Sequence, residues 1–127
     1  MGLLATLRLR KSSTARQLVG DAAEDLALDY LQQHRLTLQE RNFLCKGGEI
    51  DLVMRTESAA LVFVEVRRRA ASGFGGAAVS ITRSKQMRLI VAATIYLQRY
   101  RHPPACRFDV VAIDGAVITW LQNAIEV

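Results

Sequence analysis

The sequence predicts an α/β fold in which helices flank a mixed β-sheet. Two long segments, residues 15–34 and 80–100, repeat apolar residues at helical spacing, and segments typical of strands lie between and after them. In chain order the elements are α-β-β-β-α-β-β, which is typical of a sheet with helices packed on it. At 127 residues, half of them hydrophobic, the chain is long enough for one domain with one core.

The first helix follows a basic segment. Residues 1–14 combine a short apolar stretch with basic residues, and we expect them to form a mobile arm ahead of a single domain at 15–127. The helix begins after residue 13 or 14 and ends near His34. Its predicted apolar stripe consists of Val19, Ala22, Ala23, Leu26, Ala27 and Tyr30.

One flank of this stripe carries an acidic residue. Gly20, Glu24, Ala27 and Leu31 recur at steps of four, three and four, which places them along one side of a helix. Glu24 is therefore expected to project beside the core and not straight into solvent. The small residue one turn earlier, Gly20, leaves room for another group to approach it.

Residues 48–55 and 61–67 predict a β-hairpin that turns around Ser58. In the register that pairs apolar with apolar residues, one face carries Ile50 opposite Val66, Leu52 opposite Val64 and Met54 opposite Val62. The other face then carries Asp51 opposite Glu65 and Glu49 opposite Arg67. A slip of one residue would pair apolar with charged side chains, so the pattern itself favours this register.

Local signals predict the segments on either side of the hairpin. Residues 41–46 predict a short strand that leads through a Gly47-Gly48 turn into the hairpin. Residues 70–78, rich in glycine, predict a flexible loop after it.

The second half of the chain contains one helix and two strands. We expect a helix at 80–100, capped by Ser80 or Thr82 and stopped by Pro103-Pro104. A buried strand at 108–113, a turn at Asp114-Gly115 and a last strand at 117–120 follow.

The chain is strongly basic. Seventeen Lys and Arg residues against twelve Asp and Glu give a formal charge of +5 and a pI near 9.8. Such an excess favours an anionic partner, most often nucleic acid, although a soluble basic domain without one stays open. The residues predicted to contact phosphate are Arg67, Arg68, Arg69, Arg83, Lys85 and Arg88. For the arginine run, a charged edge strand facing solvent is equally compatible.

The two cysteines and the hydropathy pattern indicate the compartment. Cys45 and Cys106 have neither a zinc-ligand spacing nor that of a disulfide framework, so we expect two buried thiols in a reducing cytoplasm. No apolar run is long enough to span a bilayer, and we expect no membrane partner.

The opposed acids of the hairpin predict a metal site. Like charges directly opposite each other destabilise a sheet, and a cation between them removes that repulsion. Asp51 and Glu65, with the Val66 carbonyl, offer the hard oxygen ligands that Mg²⁺ or Mn²⁺ prefers. With Arg67 two residues on, the spacing reproduces the outline of a D…ExK nuclease site. The alternative is a polar face held by salt bridges between Glu49 and Arg67 and between Asp51 and neighbouring arginines.

Blocks along nearly the whole chain resemble the YraN-type family of bacterial proteins. They include Gly20-x-x-x-Glu24, Gly48-Glu49-Ile50-Asp51, Val62-Phe63-Val64-Glu65-Val66 and Arg107-Phe108-Asp109-Val110. The resemblance implies an endonuclease with a restriction-endonuclease-like, PD-(D/E)xK fold and an αβββαβ core, related to archaeal Holliday-junction resolvases. It also implies that Glu24, Asp51 and Glu65 form an acidic triad, with Lys85 and Gln86 near the substrate.

The sequence departs from that nuclease pattern at Arg67, which stands where a lysine is expected. Arginine stays protonated in proteins, so Arg67 cannot act as a base, although it can bind a phosphate. Lys85 on the second helix is the candidate to replace the lysine.

Two hypotheses of function follow. The first is a Mg²⁺- or Mn²⁺-dependent endonuclease that cuts DNA, branched or structured DNA in particular. The second is a nucleic-acid-binding module of the same fold that cuts little or nothing, and Arg67 is the residue that divides the two. A basic domain for a protein partner has no positive feature behind it. Structure-selective nucleases of this fold are often dimers, so a homodimer is the candidate assembly.

Overall fold

The computed structural model describes residues 15–68 and 81–125, with side chains from residue 20 onward. The elements, in chain order, are α1 (Ala15–Gln33), β1 (Thr37–Cys45), β2 (Gly48–Arg55), β3 (Leu61–Arg68), α2 (Arg83–Leu97), β4 (Cys106–Asp114) and β5 (Val117–Leu121). The predicted order α-β-β-β-α-β-β is confirmed. The predicted basic arm at 1–14 and the Gly-rich loop at 70–78 lie outside the described residues.

The five strands form one mixed sheet in the order β1-β2-β3-β4-β5, in which β3 and β4 run parallel and every other neighbouring pair runs antiparallel. Each face of the sheet is covered by one helix. Buried residues of α1, namely Ala23, Ala27 and Leu31, join one core cluster, and Leu89, Ala92, Ala93 and Tyr96 of α2 join the other. The predicted α/β class is confirmed, and the arrangement is consistent with a restriction-endonuclease-like core.

The predicted hairpin register is confirmed where β2 and β3 are paired, because Leu52 lies opposite Val64 and Met54 opposite Val62. The prediction that Ile50 shares the face of Leu52 and Met54 is wrong. Ile50 packs in the cluster beneath α2, whereas Leu52 and Met54 pack in the cluster beneath α1. The cause lies in the adjacent strand: Asn42, between the partners of Leu52 and Ile50, has a φ of 55°. This left-handed residue interrupts the alternation of faces in the paired strands.

Several predicted boundaries shift. β1 begins at Thr37, four residues before the predicted strand, and the turn into β2 is Lys46-Gly47 and not Gly47-Gly48. Gly48 instead opens β2, where a Cβ atom would lie 2.1 Å from the Arg88 carbonyl oxygen of α2. Only glycine allows the strand and the helix to approach this closely.

The first helix agrees with the prediction in extent, whereas the second is shorter than predicted. Thr82 caps α2, as predicted, since its hydroxyl accepts a hydrogen bond from the Lys85 N–H at 3.2 Å. The helix ends at Leu97, before Pro103 is reached, so the prolines do not stop it. On α1, Ala22 and Leu26 are exposed instead of core-facing, and the buried stripe is Ala23, Ala27 and Leu31. The core face of α1 is therefore rotated toward the flank that carries Glu24.

Neither cysteine is fully buried. Cys106 is exposed and Cys45 is half-buried, so the prediction of two buried thiols is wrong. Both residues lie at strand ends, where a side chain is only partly covered by its neighbours. Within residues 15–68 and 81–125, neither helix has the length and apolar content to cross a membrane.

Candidate functional site

A cavity of about 200 Å³ opens between the middle of α1, the start of α2 and the end of the sheet at which β2 begins and β3 ends. Four elements contribute its walls: α1, the start of β2, the end of β3 and the first two turns of α2. The lining residues are Gly20, Ala23, Glu24, Glu49, Asp51, Glu65, Val66, Arg68, Lys85 and Arg88. All three members of the predicted acidic triad therefore lie around one space.

Asp51 and Glu65 form a carboxyl pair in the floor of this cavity. The side chain of Glu65 is only 14% exposed, and the two carboxyl groups are close enough for each to shift the pKa of the other. The N–H of Val66 donates to Asp51 Oδ2 at 2.8 Å. The pairing of β2 with β3 ends at Leu52 and Val64, so the direct opposition of Asp51 and Glu65 stays a prediction, while both acids line the cavity.

Nearby cations do not fully offset the negative charge of this pair. Burial, followed by repulsion from Glu65, raises the pKa of Asp51 to about 7, despite the opposing hydrogen bond from Val66. Burial also raises the pKa of Glu65, and the nearby Lys85 opposes that rise. Near neutral pH the floor of the cavity therefore favours binding either a proton or a cation.

Glu24 lies beside the pair and is held from the opposite side by an arginine. Arg41 Nε donates to Glu24 Oε1 at 3.3 Å, while its Nη2 lies 2.7 Å from Asp25 Oδ1 and 3.2 Å from the Asp21 carbonyl oxygen. Burial and then Asp51 raise the pKa of Glu24, and Arg41 counteracts part of that rise. Arg41 fixes the third acid near the first two.

The role of Arg41 was not predicted from the sequence. The residue faces α1 from the edge strand β1, directly before the left-handed Asn42. Its charge in a strand was visible in the sequence, but its partners belong to a helix some 17 residues earlier. No local pattern indicates that contact.

Cations occupy the rim of the cavity. Lys85 Nζ lies 3.7 Å from Glu65 Oε2, and Arg88 Nη2 lies 3.4 Å from Glu49 Oε1. The predicted opposition of Glu49 and Arg67 is not found, because the β2–β3 pairing ends at Leu52 and Glu49 reaches α2 instead. The cavity therefore has an acidic floor and a basic rim.

The other predicted phosphate contacts are distributed differently. Arg68 lines the cavity, whereas Arg67, half-buried beside Ala112 of β4, is not among the described lining residues. Arg83 is exposed on the first turn of α2 and lies outside the lining. Gln86 donates its side-chain amide to the Ile81 carbonyl oxygen at 2.9 Å, which ties it to the start of the helix. Arg69 lies outside the described residues.

Comparison with known proteins places the chain in a family. The model of the uncharacterised protein family UPF0102 matches residues 23–113, which include Glu24, Asp51, Glu65 and Lys85. The chain belongs to the UPF0102 family. It is 64% identical to a UPF0102 protein of Janthinobacterium sp. (strain Marseille) over 126 residues, 99% of each chain. It is also 64% identical to one of Herminiimonas arsenicoxydans over 118 residues, 93% of this chain and 94% of the relative.

A third relative is less similar. A UPF0102 protein of Cupriavidus metallidurans is 56% identical over 115 residues, 91% of this chain and 84% of the relative. The names of these three proteins give the family and no activity.

The donor set of this UPF0102 site limits the metal it can hold. Among residues 15–68 and 81–125, no three His, Cys, Asp or Glu side chains are arranged to hold a metal ion directly. Mg²⁺, however, is commonly held by one or two carboxylates and keeps several waters. The buried, mutually repelling carboxyl groups of Asp51 and Glu65 fit that requirement, and Glu24 fits a role through water.

A second buried acid in the UPF0102 chain has a structural role. Asp109 is fully buried and accepts hydrogen bonds from Arg107 Nε at 3.0 Å, Trp120 Nε1 at 2.9 Å and the Asn123 N–H at 2.9 Å. The ion pair with Arg107, two residues earlier on the same strand, balances the charge of this buried acid. Because its oxygens are satisfied by β4, β5 and the segment after β5, Asp109 fastens the C-terminal edge of the sheet.

Proposed function

We propose that this chain is a metal-dependent endonuclease that hydrolyses phosphodiester bonds of nucleic acid, with branched DNA as its preferred substrate. One observation carries the proposal: the carboxyl pair of Asp51 and Glu65 lies in a cavity whose rim presents Arg68, Lys85 and Arg88. The choice of branched DNA rests on the resemblance to junction resolvases.

The charge arrangement suits this chemistry better than it suits a simple anion site. Buried carboxylates in the floor would repel a phosphate that came to rest there without a cation. A divalent cation on the carboxylates removes that repulsion and leaves the basic rim free to hold the flanking phosphates. Carboxylates in the floor and basic side chains at the rim are therefore the arrangement expected when a metal ion and a polyanion bind together.

Each residue has a separate task in this proposal. Asp51, Glu65 and the Val66 carbonyl would hold Mg²⁺ or Mn²⁺, and Glu24, oriented by Arg41, would assist through water. When bound, the ion supplies Lewis-acid polarisation of the phosphate and favours ionisation of water. Arg68 and Arg88 at the rim bind and orient the nucleic-acid backbone, because guanidinium groups match phosphate geometry.

A cleavage assay tests the proposal. The full chain is incubated with a four-way DNA junction, a linear duplex of the same sequence and the matching RNA junction, each with Mg²⁺ or Mn²⁺. We expect the DNA junction to be cut. Asp51→Asn and Glu65→Gln should each lower the rate by about 10³-fold, the equivalent of the several kcal/mol that a bound metal contributes.

The matched control is Glu57→Gln, which removes an exposed carboxylate in the β2–β3 turn. It should cut at the parent rate, and all three variants should bind the junction without metal at least as well as the parent. Salt-sensitive binding without any cutting would assign the chain to the class of non-cutting binding modules instead. Two symmetric cuts in a junction require two cavities, so light scattering of the complex should show a homodimer.

A further inference from the structure

The position of lysines in the described fold raises the question of which cation serves the reaction. Lys46 and Lys85 are the two lysines within residues 15–68 and 81–125. Lys46 lies exposed in the β1–β2 turn, whereas Lys85 lines the cavity. Arg67, which follows Glu65 by two residues, lies outside the described lining.

The structure fixes Lys85 toward the acidic pair. Its backbone is held in the first turn of α2 because its N–H donates to the capping hydroxyl of Thr82 at 3.2 Å. From there its Nζ reaches to 3.7 Å from Glu65 Oε2, while the side chain stays 56% exposed. The ammonium group therefore contacts a buried carboxylate on one side and remains open to a ligand on the other.

The electrostatic influence on Glu65 ranks the two cations in the same order. Among the charges that favour ionised Glu65, Lys85 acts more strongly than Arg67. This order agrees with the geometry, since Lys85 lines the cavity and its Nζ lies 3.7 Å from Glu65 Oε2.

We propose that Lys85 is the catalytic lysine of this site, reaching from α2 to the position that a strand lysine after Glu65 would otherwise fill. This inference rests on the proposed nuclease function and adds the residue that touches the reacting phosphate. Arg67 is left with a positioning role beside the strand end.

The reaction that Lys85 assists is a hydrolysis. The oxygen of a water molecule forms a bond to phosphorus, the bond from phosphorus to one bridging oxygen breaks, and one proton passes in net terms from the water to the leaving oxygen. The Lys85 ammonium donates a hydrogen bond to a non-bridging oxygen of the phosphate and offsets the negative charge that develops there. The lysine is unchanged at the end of the step.

Arg88 provides a matched comparison. It lines the same cavity one turn later on α2 and carries the same charge, but it pairs with the half-exposed Glu49 and not with the buried acids. If a positive rim were all that the site required, Lys85→Gln and Arg88→Gln would have equal effects.

The test combines cutting with metal binding. We measure single-turnover cutting of the DNA junction at saturating protein, Mn²⁺ affinity without DNA by electron paramagnetic resonance, and thermal unfolding. The variants are Lys85→Gln, Arg88→Gln, Arg67→Lys and the double variant Arg67→Lys with Lys85→Gln.

We expect Lys85→Gln to lower the cutting rate by about 10²–10³-fold, as for loss of one donor to a developing oxyanion. Its Mn²⁺ affinity should be unchanged or higher, because a competing ammonium beside Glu65 has been removed. Arg88→Gln should weaken junction binding, because it removes one phosphate contact, and should lower the saturated rate less than Lys85→Gln does. The double variant should recover most of the rate.

Other outcomes overturn the proposal in distinguishable ways. A Lys85→Gln variant that cuts like the parent, or that loses Mn²⁺ affinity and cutting in parallel, overturns the role of Lys85 and leaves the nuclease function intact. If the parent does not cut and the Arg67→Lys variant does, Lys85 does not replace the strand lysine. If neither the parent nor the Arg67→Lys variant cuts any substrate, the nuclease function fails together with this inference.

Discussion

At the scale of single residues, Asp51 shows a conflict between stability and function. Its pKa of about 7 in the fold lies far above the ordinary value of 3.8, so between these values the folded chain holds a proton that the unfolded chain has lost. Stability must therefore decrease as pH rises through this window and remain low above it. A residue that opposes folding in this way is typical of a functional site.

We predict that Asp51→Asn stabilises the protein at pH 8 by roughly 1–3 kcal/mol, because the parent must then hold an ionised carboxyl group that the fold disfavours. The amide keeps an oxygen for the Val66 N–H and removes the charge. Urea unfolding at pH 8 and pH 5 measures the effect, which should shrink at pH 5 because the parent is then protonated. Glu57→Gln is the control, and a loss of stability in Asp51→Asn at pH 8 would contradict the prediction.

Arg41 is the second residue with a testable role. We predict that Arg41→Met destabilises the fold by about 1–3 kcal/mol, because it leaves Glu24 half-buried without its partner. Arg41→Lys should lose less, since the charge remains while the planar fork is lost. Chemical unfolding measures both variants.

The control for Arg41 is Arg35→Gln, which removes an ion pair of 4.0 Å to Glu57 between two side chains that are 80% and 71% exposed. Such a surface change should stay within about 0.5 kcal/mol. Equal losses in Arg41→Met and Arg35→Gln would mean that the contact with Glu24 adds nothing to stability.

What the sequence could predict at this scale was limited to neighbours within the hairpin. Asp51 and Glu65 were identified as a pair because strand alternation and an apolar register predict that they lie opposite each other. The contacts of Arg41 with Glu24 and of Lys85 with Glu65 depend on how each helix is rotated against the sheet. That rotation is decided by packing, which no single segment encodes.

At the scale of elements, the approach of α2 to β2 controls the shape of the cavity. The strand and the helix touch at Gly48, next to Glu49 and one turn away from Lys85 along the helix. A side chain here would push the helix that carries the rim cations away from the strand that carries the acids.

We predict that Gly48→Ala destabilises the protein by about 1–3 kcal/mol, since a methyl group placed 2.1 Å from a backbone oxygen forces the packing apart. Gly20→Ala is a matched control on the other wall of the cavity, because an added Cβ meets nothing within 4 Å there. In a helix it should raise stability by about 0.5–1 kcal/mol. Thermal unfolding of both variants checks the pair, and a neutral Gly48→Ala would contradict the close approach.

The elements themselves were largely predictable, and their irregularities were not. The alternation of Leu52 and Met54 located β2 correctly. The switch at Ile50 was missed because it depends on a positive φ at Asn42, and a non-glycine residue gives only a weak signal of that conformation. Gly48 was assigned to a turn for the opposite reason, since glycine is common both in turns and at close contacts.

At the scale of the whole molecule, the net charge is positive, whereas the groups deepest in the cavity are negative. The formal charge is +5, yet the deepest groups of the cavity are acids. A polyanion is therefore attracted by the molecule as a whole and repelled at the floor, unless a cation is bound there.

We predict that junction binding depends steeply on salt and that single rim variants reduce this dependence. Arg88→Gln and Arg68→Gln should each lower the slope of log K against log salt by about 1. Arg55→Gln is the control, because Arg55 lies exposed at the far end of β2, roughly 13 Å from Asp51 along the strand. Fluorescence anisotropy across a salt series measures the slopes, and equal slopes for all variants would remove the rim from the binding surface.

The order of elements and the mixed sheet were predictable from the sequence because two helical segments divide five strand-like ones. The parallel alignment of β3 with β4, by contrast, brings together Leu61 and Cys106, 45 residues apart, and no local pattern specifies it.

That long separation has a consequence for the order of folding. Closing a large loop carries more entropy loss than closing a short one, so the β1–β2–β3 meander should form before β4 joins it. Asp51 and Glu65 then meet early, while Lys85 arrives only when α2 docks and the crossover closes. During refolding, pulse-labelling hydrogen exchange should show the amides of β2 protected before those of β4. The reverse order would show that Asp51 and Glu65 do not meet before Lys85 reaches them.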